Sequence, residues 1–379
     1  MNTLFLATVV SLFMIGCGTK QGGTGWDTGF QEDSDHDGSD TPPDGAGDND
    51  GDGDADGDAD GSSDEPLYGF IGSPCEDDSD CDYEGGVCLL DGFPDGMCSA
   101  ACELYCPDMD GFPTTFCVDT ADLPSGASVF DQGACVSRCD FGFYETAACR
   151  DEYGCTVESR HSEPDTQTYA CIPGTGSTLS DCHSELAARG VGFEPAIHTT
   201  QHPEGYPDLD CEIEDPVWVK SPVMGVDMLY YDGTETPRTL ASCEMAHSLA
   251  DTVEDVAAEG VSAILHIGTY NCRVISGTSR LSRHSYADAI DIYGFEFHDG
   301  RVWTLIDDWE HDTETPSTDA GRFLYSAAQR WYDDWIWNII LTPNYDSAHD
   351  NHFHVDLTPG SHTVSVTDHR YFGPAPYAD

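Results

Sequence analysis

The sequence predicts an α+β protein: a C-terminal antiparallel sheet with flanking helices, preceded by a small disulfide-rich domain and a disordered acidic linker. Three observations predict this order. From Glu32 to Glu65 nearly every second residue, 15 of 34, is acidic, with mostly Gly, Ala and Ser between. Nearly all of the 17 cysteines then fall between residues 75 and 272. From Leu179 onward, runs of alternating apolar residues are interleaved with runs of helical spacing.

The chain has 379 residues, and 71 Asp and Glu against 14 Lys and Arg give a net charge of −57. Such a surface cannot neutralise phosphates, so nucleic acid is excluded as a main partner. Abundant cysteine implies an oxidising compartment. Residues 4–16 form an apolar run too short to span a bilayer comfortably and of the right length for a signal-peptide core. Cys17 follows at once, and the run MIGC resembles the lipobox of bacterial lipoprotein signals. Residues 1–17 are therefore expected to be a lipoprotein signal with an acylated Cys17, the alternative being an ordinary secretory signal cut elsewhere. The expected location is the outer membrane, on its periplasmic or cell-surface face, by an acyl anchor rather than a span.

Residues 18–68 hold almost nothing that could form a core and read as a solvated tether of ~40 Å or more. DADGDADG echoes the start of a calcium loop, with Asp52, Asp54, Asp56 and Gly57 in register, but position twelve is Ser63 and no helix pattern flanks it. A charged spacer explains the run. Residues 69–173 carry twelve cysteines and few long apolar runs, which reads as six disulfides. Zinc is the rival there, but no C-x-x-C pair occurs and His161 is the only histidine in the unit.

Residues 178–379 form the last domain. Ser180 precedes DCHSELAAR, with Gly190 just beyond it, an N-cap and a C-terminal Gly around one helix. Leu240, Cys243, Leu249, Val253 and Val256 predict a second helix over roughly 239–258, ended by Gly260. Strands are expected at 261–268, 289–295, 301–306, 335–341 and 352–357, with a helix around 319–333. Cys182, Cys211, Cys243 and Cys272 would form two further disulfides.

His349, His352 and His354 fall within HDNHFHVD. Strand alternation puts His352, His354 and Asp356 on one face and Phe353, Val355 and Leu357 on the other. An exposed polar strand face explains any one of these histidines but not the set. Imidazoles with a carboxylate nearby favour Zn²⁺, and a catalytic zinc takes three protein ligands. Upstream, SRHSYADAID places His284 and Asp291 seven residues apart, where a turn followed by a strand lets both reach one metal.

On these residues, 180–358 resembles the extensin-like C-terminal domain, related to zinc D-Ala-D-Ala carboxypeptidases, penicillin-insensitive murein endopeptidases and the hedgehog domain. DCHSELAARGVGFEP, DCEIEDPVWV, TYNCR, RLSRHSYADAIDIYGF, DDW and NYDSAHDNHFHVDL carry the resemblance. Ser282, His284, Ala289 and Asp291 match the motif Ser-x-His-x-x-Gly-x-Ala-x-Asp, with Ala287 in place of the Gly. The resemblance implies zinc held by His284, Asp291 and His354, and it implies peptidoglycan peptides as substrate. The carboxypeptidases carry a Glu base where this chain has Asn351, so His352 becomes the expected base or oxyanion stabiliser. His349 and Asp356 are expected to orient the ligands. Arg273 would hold a substrate carboxylate or the developing charge, or else is a surface arginine beside the Cys272 disulfide. The other class the resemblance permits is a zinc-stabilised module that binds wall or surface polymer without cutting it. Nothing in the sequence sets the oligomeric state.

Overall fold

A computed structural model describes residues 69–144, 147–174 and 176–365. The signal segment, Cys17 and the acidic linker lie outside the described residues, as does 366–379. No helix among the described residues is long and apolar enough to cross a membrane.

The disulfide-rich segment builds two small sheets. β1 (Val87–Leu89) pairs with β2 (Met97–Ser99). β3 (Ala101–Cys102), β4 (Thr115–Asp119), β5 (Gly133–Ser137), β6 (Tyr153–Arg160) and β7 (Glu163–Pro173) form a sheet ordered β3-β5-β4-β6-β7. Its twelve cysteines pair as Cys75–Cys88, Cys81–Cys98, Cys102–Cys117, Cys106–Cys135, Cys139–Cys155 and Cys149–Cys171. The six expected disulfides are present, and they consume the thiolates a zinc-cysteine site would need. Each bridge closing a loop of about 15 residues adds about 3 kcal/mol, which offsets the scarcity of apolar side chains.

The C-terminal part is mixed α+β. α1 (Asp181–Ala188) is capped by Ser180, whose hydroxyl accepts from His183 N, and ends at Gly190, where φ is +78°. β8 (Phe193–Pro195), β9 (Pro216–Lys220) and β11 (Arg238–Ser242) form a three-stranded sheet. The expected helix over 239–258 is thus divided: its first residues are strand, because Thr239 and Leu240 pair with Val219 and Trp218. Ser242 then accepts from Met245 N at 3.1 Å and starts α2 (Cys243–Ala257).

The larger sheet runs β10 (Asp227–Tyr230), β12 (Val261–Gly268), β13 (Ala289–Phe297), β16 (Phe353–Asp356), β15 (Ile339–Leu341), β17 (Thr363–Val364), and β14 (Val302–Thr304) also pairs with β13. It is mostly antiparallel, but β10–β12 and β15–β17 are parallel pairs, a correction to the wholly antiparallel sheet expected. The strand expected at 301–306 ends at Thr304, whose hydroxyl caps the short α3 (Leu305–Asp308). The strand expected at 335–341 begins only at Ile339, since Trp335 turns the chain at φ +58°. α4 (Asp319–Asp333) lays Phe323, Leu324, Ala327, Ala328 and Trp331 on the core, and Trp331 Nε1 donates to Asp255 on α2 at 2.9 Å. Burying each large apolar side chain contributes about 1.5–3 kcal/mol.

One apolar core runs from the disulfide-rich segment into the sheet domain. Phe141 stacks on Phe193 at 4.4 Å, and its N–H donates to the Phe193 carbonyl. Beside them Glu194, 4% exposed, is ringed by Arg138, Lys220 and Arg238 at 3.5–3.7 Å, and Lys220 also pairs with Asp140.

Candidate metal centre

His284 sits in a 3-10 turn, Arg283–Tyr286, that Ser282 caps. The turn is pinned from behind by Ser285, whose hydroxyl accepts from Arg273 N at 2.9 Å, and by Asn271 N donating to the His284 carbonyl. The turn closes at Ala287, in the left-handed region at φ +51°, ψ +32°, which delivers the chain into β13. That is the position at which the resembled motif carries Gly, the residue for which this conformation is least costly. β13 pairs with β16 so that Asp291 lies opposite His354 and Ile292 opposite Phe353. The buried Ile292 and Phe353 face the core, and the alternation turns Asp291 and His354 to the other face.

Three donor atoms converge there. His354 Nδ1 is 2.9 Å from Asp291 Oδ1, His284 Nε2 is 3.2 Å from the same oxygen, and the two ring nitrogens are 3.1 Å apart. The outer nitrogens identify the lone pairs. His284 Nδ1 lies 2.7 Å from the Thr269 carbonyl, and His354 Nε2 lies 2.9 Å from Asp356 Oδ2, so both outer nitrogens carry the proton. Two imidazole lone pairs and a carboxylate oxygen therefore point at one another in a buried place. That arrangement repels itself unless a proton or a metal cation sits among the three, and this donor set of two imidazoles and a carboxylate fits zinc.

In the metal-free protein a proton takes that place on an inner imidazole nitrogen, which then donates to Asp291. Burial pulls the His354 imidazole down, yet its bonds to Asp291 and Asp356 prevail and raise it to about 9. Burial would raise Asp291, but hydrogen bonds from His284 and His354 hold it well below the carboxylate range. His352 differs: burial pushes it down to about 4, with Asp291 opposing. Its Nδ1 is 2.8 Å from Asn351 Oδ1, which leaves Nε2 bearing a lone pair 3.5 Å from Asp291 Oδ1. His349 Nδ1 bonds Asp346 Oδ1 at 2.7 Å, and its ring is 5.2 Å from that of His352. Burial lowers His349 as well, Asp346 opposing.

The structure thus brings His284, Asp291, His354, His352, His349 and Asp356 into one cluster. Arg273 joins it through its backbone, bonded to the Ser285 hydroxyl, and is itself exposed. Sequence reasoning missed the Thr269 carbonyl, which carries no side-chain signal, and Asp346, whose place three residues before His349 was the available clue. The second disulfide pair is Cys182–Cys243 and Cys211–Cys272, the latter adjacent to Arg273.

A disulfide-bonded α+β domain with a histidine on a turn converging on an aspartate and a histidine of two adjacent strands is the class of domain that fold and cluster define. Residues 180–365 match the family model described as extensin-like protein C-terminus, which supports the extensin-like C-terminal family for this part of the chain. Comparison with curated proteins and with solved structures finds no match.

Proposed function

We propose that the C-terminal domain is a zinc-dependent peptidase acting on peptide bonds of bacterial peptidoglycan. The observation that carries this reading is the convergence of His284 Nε2, Asp291 Oδ1 and His354 Nδ1 with both outer imidazole nitrogens engaged. These three hold the metal. Zinc bound there supplies Lewis acidity, polarising a scissile carbonyl and acidifying water. His352, kept neutral at pH 7, accepts a proton at Nε2, and Asn351 fixes the tautomer that presents that atom. His349, steadied by Asp346, packs against His352 and orients it. Arg273 meets a substrate carboxylate or the charge developing on the carbonyl oxygen. The substrate and the kinship to D-Ala-D-Ala peptidases, murein endopeptidases and the hedgehog fold rest on motif resemblance. So do export and anchorage at the outer membrane through an acylated Cys17.

A second reading is favoured by one distance. His352 Nε2 is 3.5 Å from Asp291 Oδ1 although it lies outside the three donors within 4.8 Å of one another, and a ring shift would bring it in as a fourth ligand, giving the closed site typical of structural zinc in a module that binds wall polymer without cutting it. Incubating zinc-loaded protein with purified wall fragments separates the two. New amines and shortened peptides are expected, and intact fragments would favour the binding module. A Cys17→Ser protein should leave the membrane fraction.

A further inference from the structure

Two tyrosines, Tyr231 and Tyr293, lie beside the centre and take no part in the reading above. Tyr293 follows Asp291 by two residues on β13, and both are half-buried between the fully buried Ile290, Ile292 and Gly294. The register places Ile292 opposite His266 and Gly294 opposite Leu265, so Tyr293 is an extra residue in a bulge. Bulges of this kind re-aim a side chain beside an active site. Here the bulge allows Asp291 and Tyr293 to face outward while Phe295, two residues on, returns to the core. Along the strand, two residues separate Tyr293 from the cluster by about 7 Å.

Tyr231 meets Tyr293 at 5.7 Å between ring centroids and an interplanar angle of 59°, and Tyr230 meets Tyr231 at 5.8 Å and 47°. Tyr231 is 50% exposed and Tyr230 41%. Their backbone is fixed: Tyr231 N donates to the His266 carbonyl, and Tyr230 N and Gly233 N close the turn of a tight hairpin. The Tyr231 and Tyr293 rings form a tilted aromatic wall, continuous with the centre through β13, while Tyr230, in register with the buried His266 and 5.4 Å from its ring, lies on the face of Met228 and braces Tyr231. Tyrosine suits a partner that is apolar on its face and polar at its rim.

Charge selects the partner further. Asp227, Asp232 and Glu235 are exposed on the same hairpin, and no Lys or Arg occurs from 221 to 237. An anionic polymer is repelled there, and an apolar side chain would leave the hydroxyl rim unused. A pyranose ring offers C–H bonds on its face and hydroxyl or amide groups at its edge. We infer that Tyr231 and Tyr293 form a subsite for an uncharged sugar ring, of N-acetylhexosamine type, beside the metal centre. This deepens the proposed function, on which it rests for the source of the sugar: the domain would grip the glycan strand while the centre addresses the attached peptide.

The test is calorimetric binding of the β-1,4-linked N-acetylglucosamine tetramer to the full-length protein and to its His354→Ala variant. Binding is expected in both, because the wall does not require the metal. Tyr231→Ala and Tyr293→Ala should each weaken it about tenfold, the size of one lost stacking contact. Tyr231→Leu, which keeps bulk and guards against misfolding, should weaken it similarly, and Tyr206→Ala, on a different loop, should not. Absence of tetramer binding by the unaltered protein, or unchanged affinity in the Tyr231 and Tyr293 variants, overturns the subsite. So does an equal loss of activity toward sugar-free wall peptides in those variants, which would assign the wall to peptide. Tetramer binding without hydrolysis of wall fragments would sink the peptidase reading and leave the subsite standing.

Discussion

His354 Nδ1 faces Asp291 Oδ1 at 2.9 Å across two strands that pair these residues directly. The contact is made by backbone register rather than by loop placement, so the sheet itself sets its geometry.

One tightly bound zinc per chain is therefore expected. His284→Ala, Asp291→Ala and His354→Ala should each abolish it, since two remaining ligands make an inadequate site. Asp356→Asn, which weakens the acceptor of His354 Nε2–H, should lower zinc affinity by about 10–100-fold without abolishing binding. Elemental analysis after dialysis against graded chelator measures both, and full occupancy in the three alanine variants would refute the ligand set.

His352→Ala should keep zinc and lose hydrolysis by about 10²–10⁴-fold, the usual contribution of a proton-transfer group. His349→Ala should cost less. If His352→Ala instead loses its metal, His352 is a ligand and the closed-site reading gains. A normal digestion rate in that variant would transfer the role of base to His349 or remove it altogether.

Ala287 is buried in a left-handed conformation. Ala287→Gly relieves backbone strain of about 1–2 kcal/mol. It also gives up a buried methyl, about 0.8 kcal/mol, and makes the unfolded chain more flexible. The variant should stay within about 1 kcal/mol of the parent in urea unfolding. Ala287→Val, β-branched in the same conformation, should lose about 2 kcal/mol or more and weaken zinc binding with it. Equal stability of the two variants would contradict the turn geometry.

His266 is 2% exposed, and burial pushes its imidazole from 6.5 down to about 4. A depressed folded value means that the unfolded chain takes up the proton first. The stability it contributes is complete above pH 6.5 and is lost as pH falls toward 4. His266→Phe should shrink that acid slope in denaturant titrations at pH 7, 6 and 5, while His352, similarly depressed, keeps part of it. Coincident slopes for parent and variant would show that His266 does not titrate as its burial requires.

The cluster was the most legible part of the chain. His352 and His354 alternate with Phe353 and Val355, and the SRHSYADAID segment announces a turn followed by a strand, so short-range spacing carries the information. α1 and α4 were legible through Ser180, Gly190 and the helical spacing of Phe323, Leu324, Ala327 and Trp331. β10 and β17 were not. Four and two residues long, they are defined by parallel partners far away in sequence, which no local period encodes. The start of α2 was misplaced because Leu240 and Cys243 keep a helical spacing even though Leu240 belongs to a strand. The Thr269 carbonyl was invisible in principle, since every residue has one.

The joint at Phe141 and Glu194 bears on how this chain is inherited and handled. Cut away at residue 178, the family-matched portion would present the bare ring of Phe193 to water and leave the nearly inaccessible Glu194 without Arg138. A detached fragment would tend to clump and to unfold at its edge, however sound its metal cluster. Transplanting the domain into another protein means moving the seam with it, so recombination that respects only the family-matched half should be selected against.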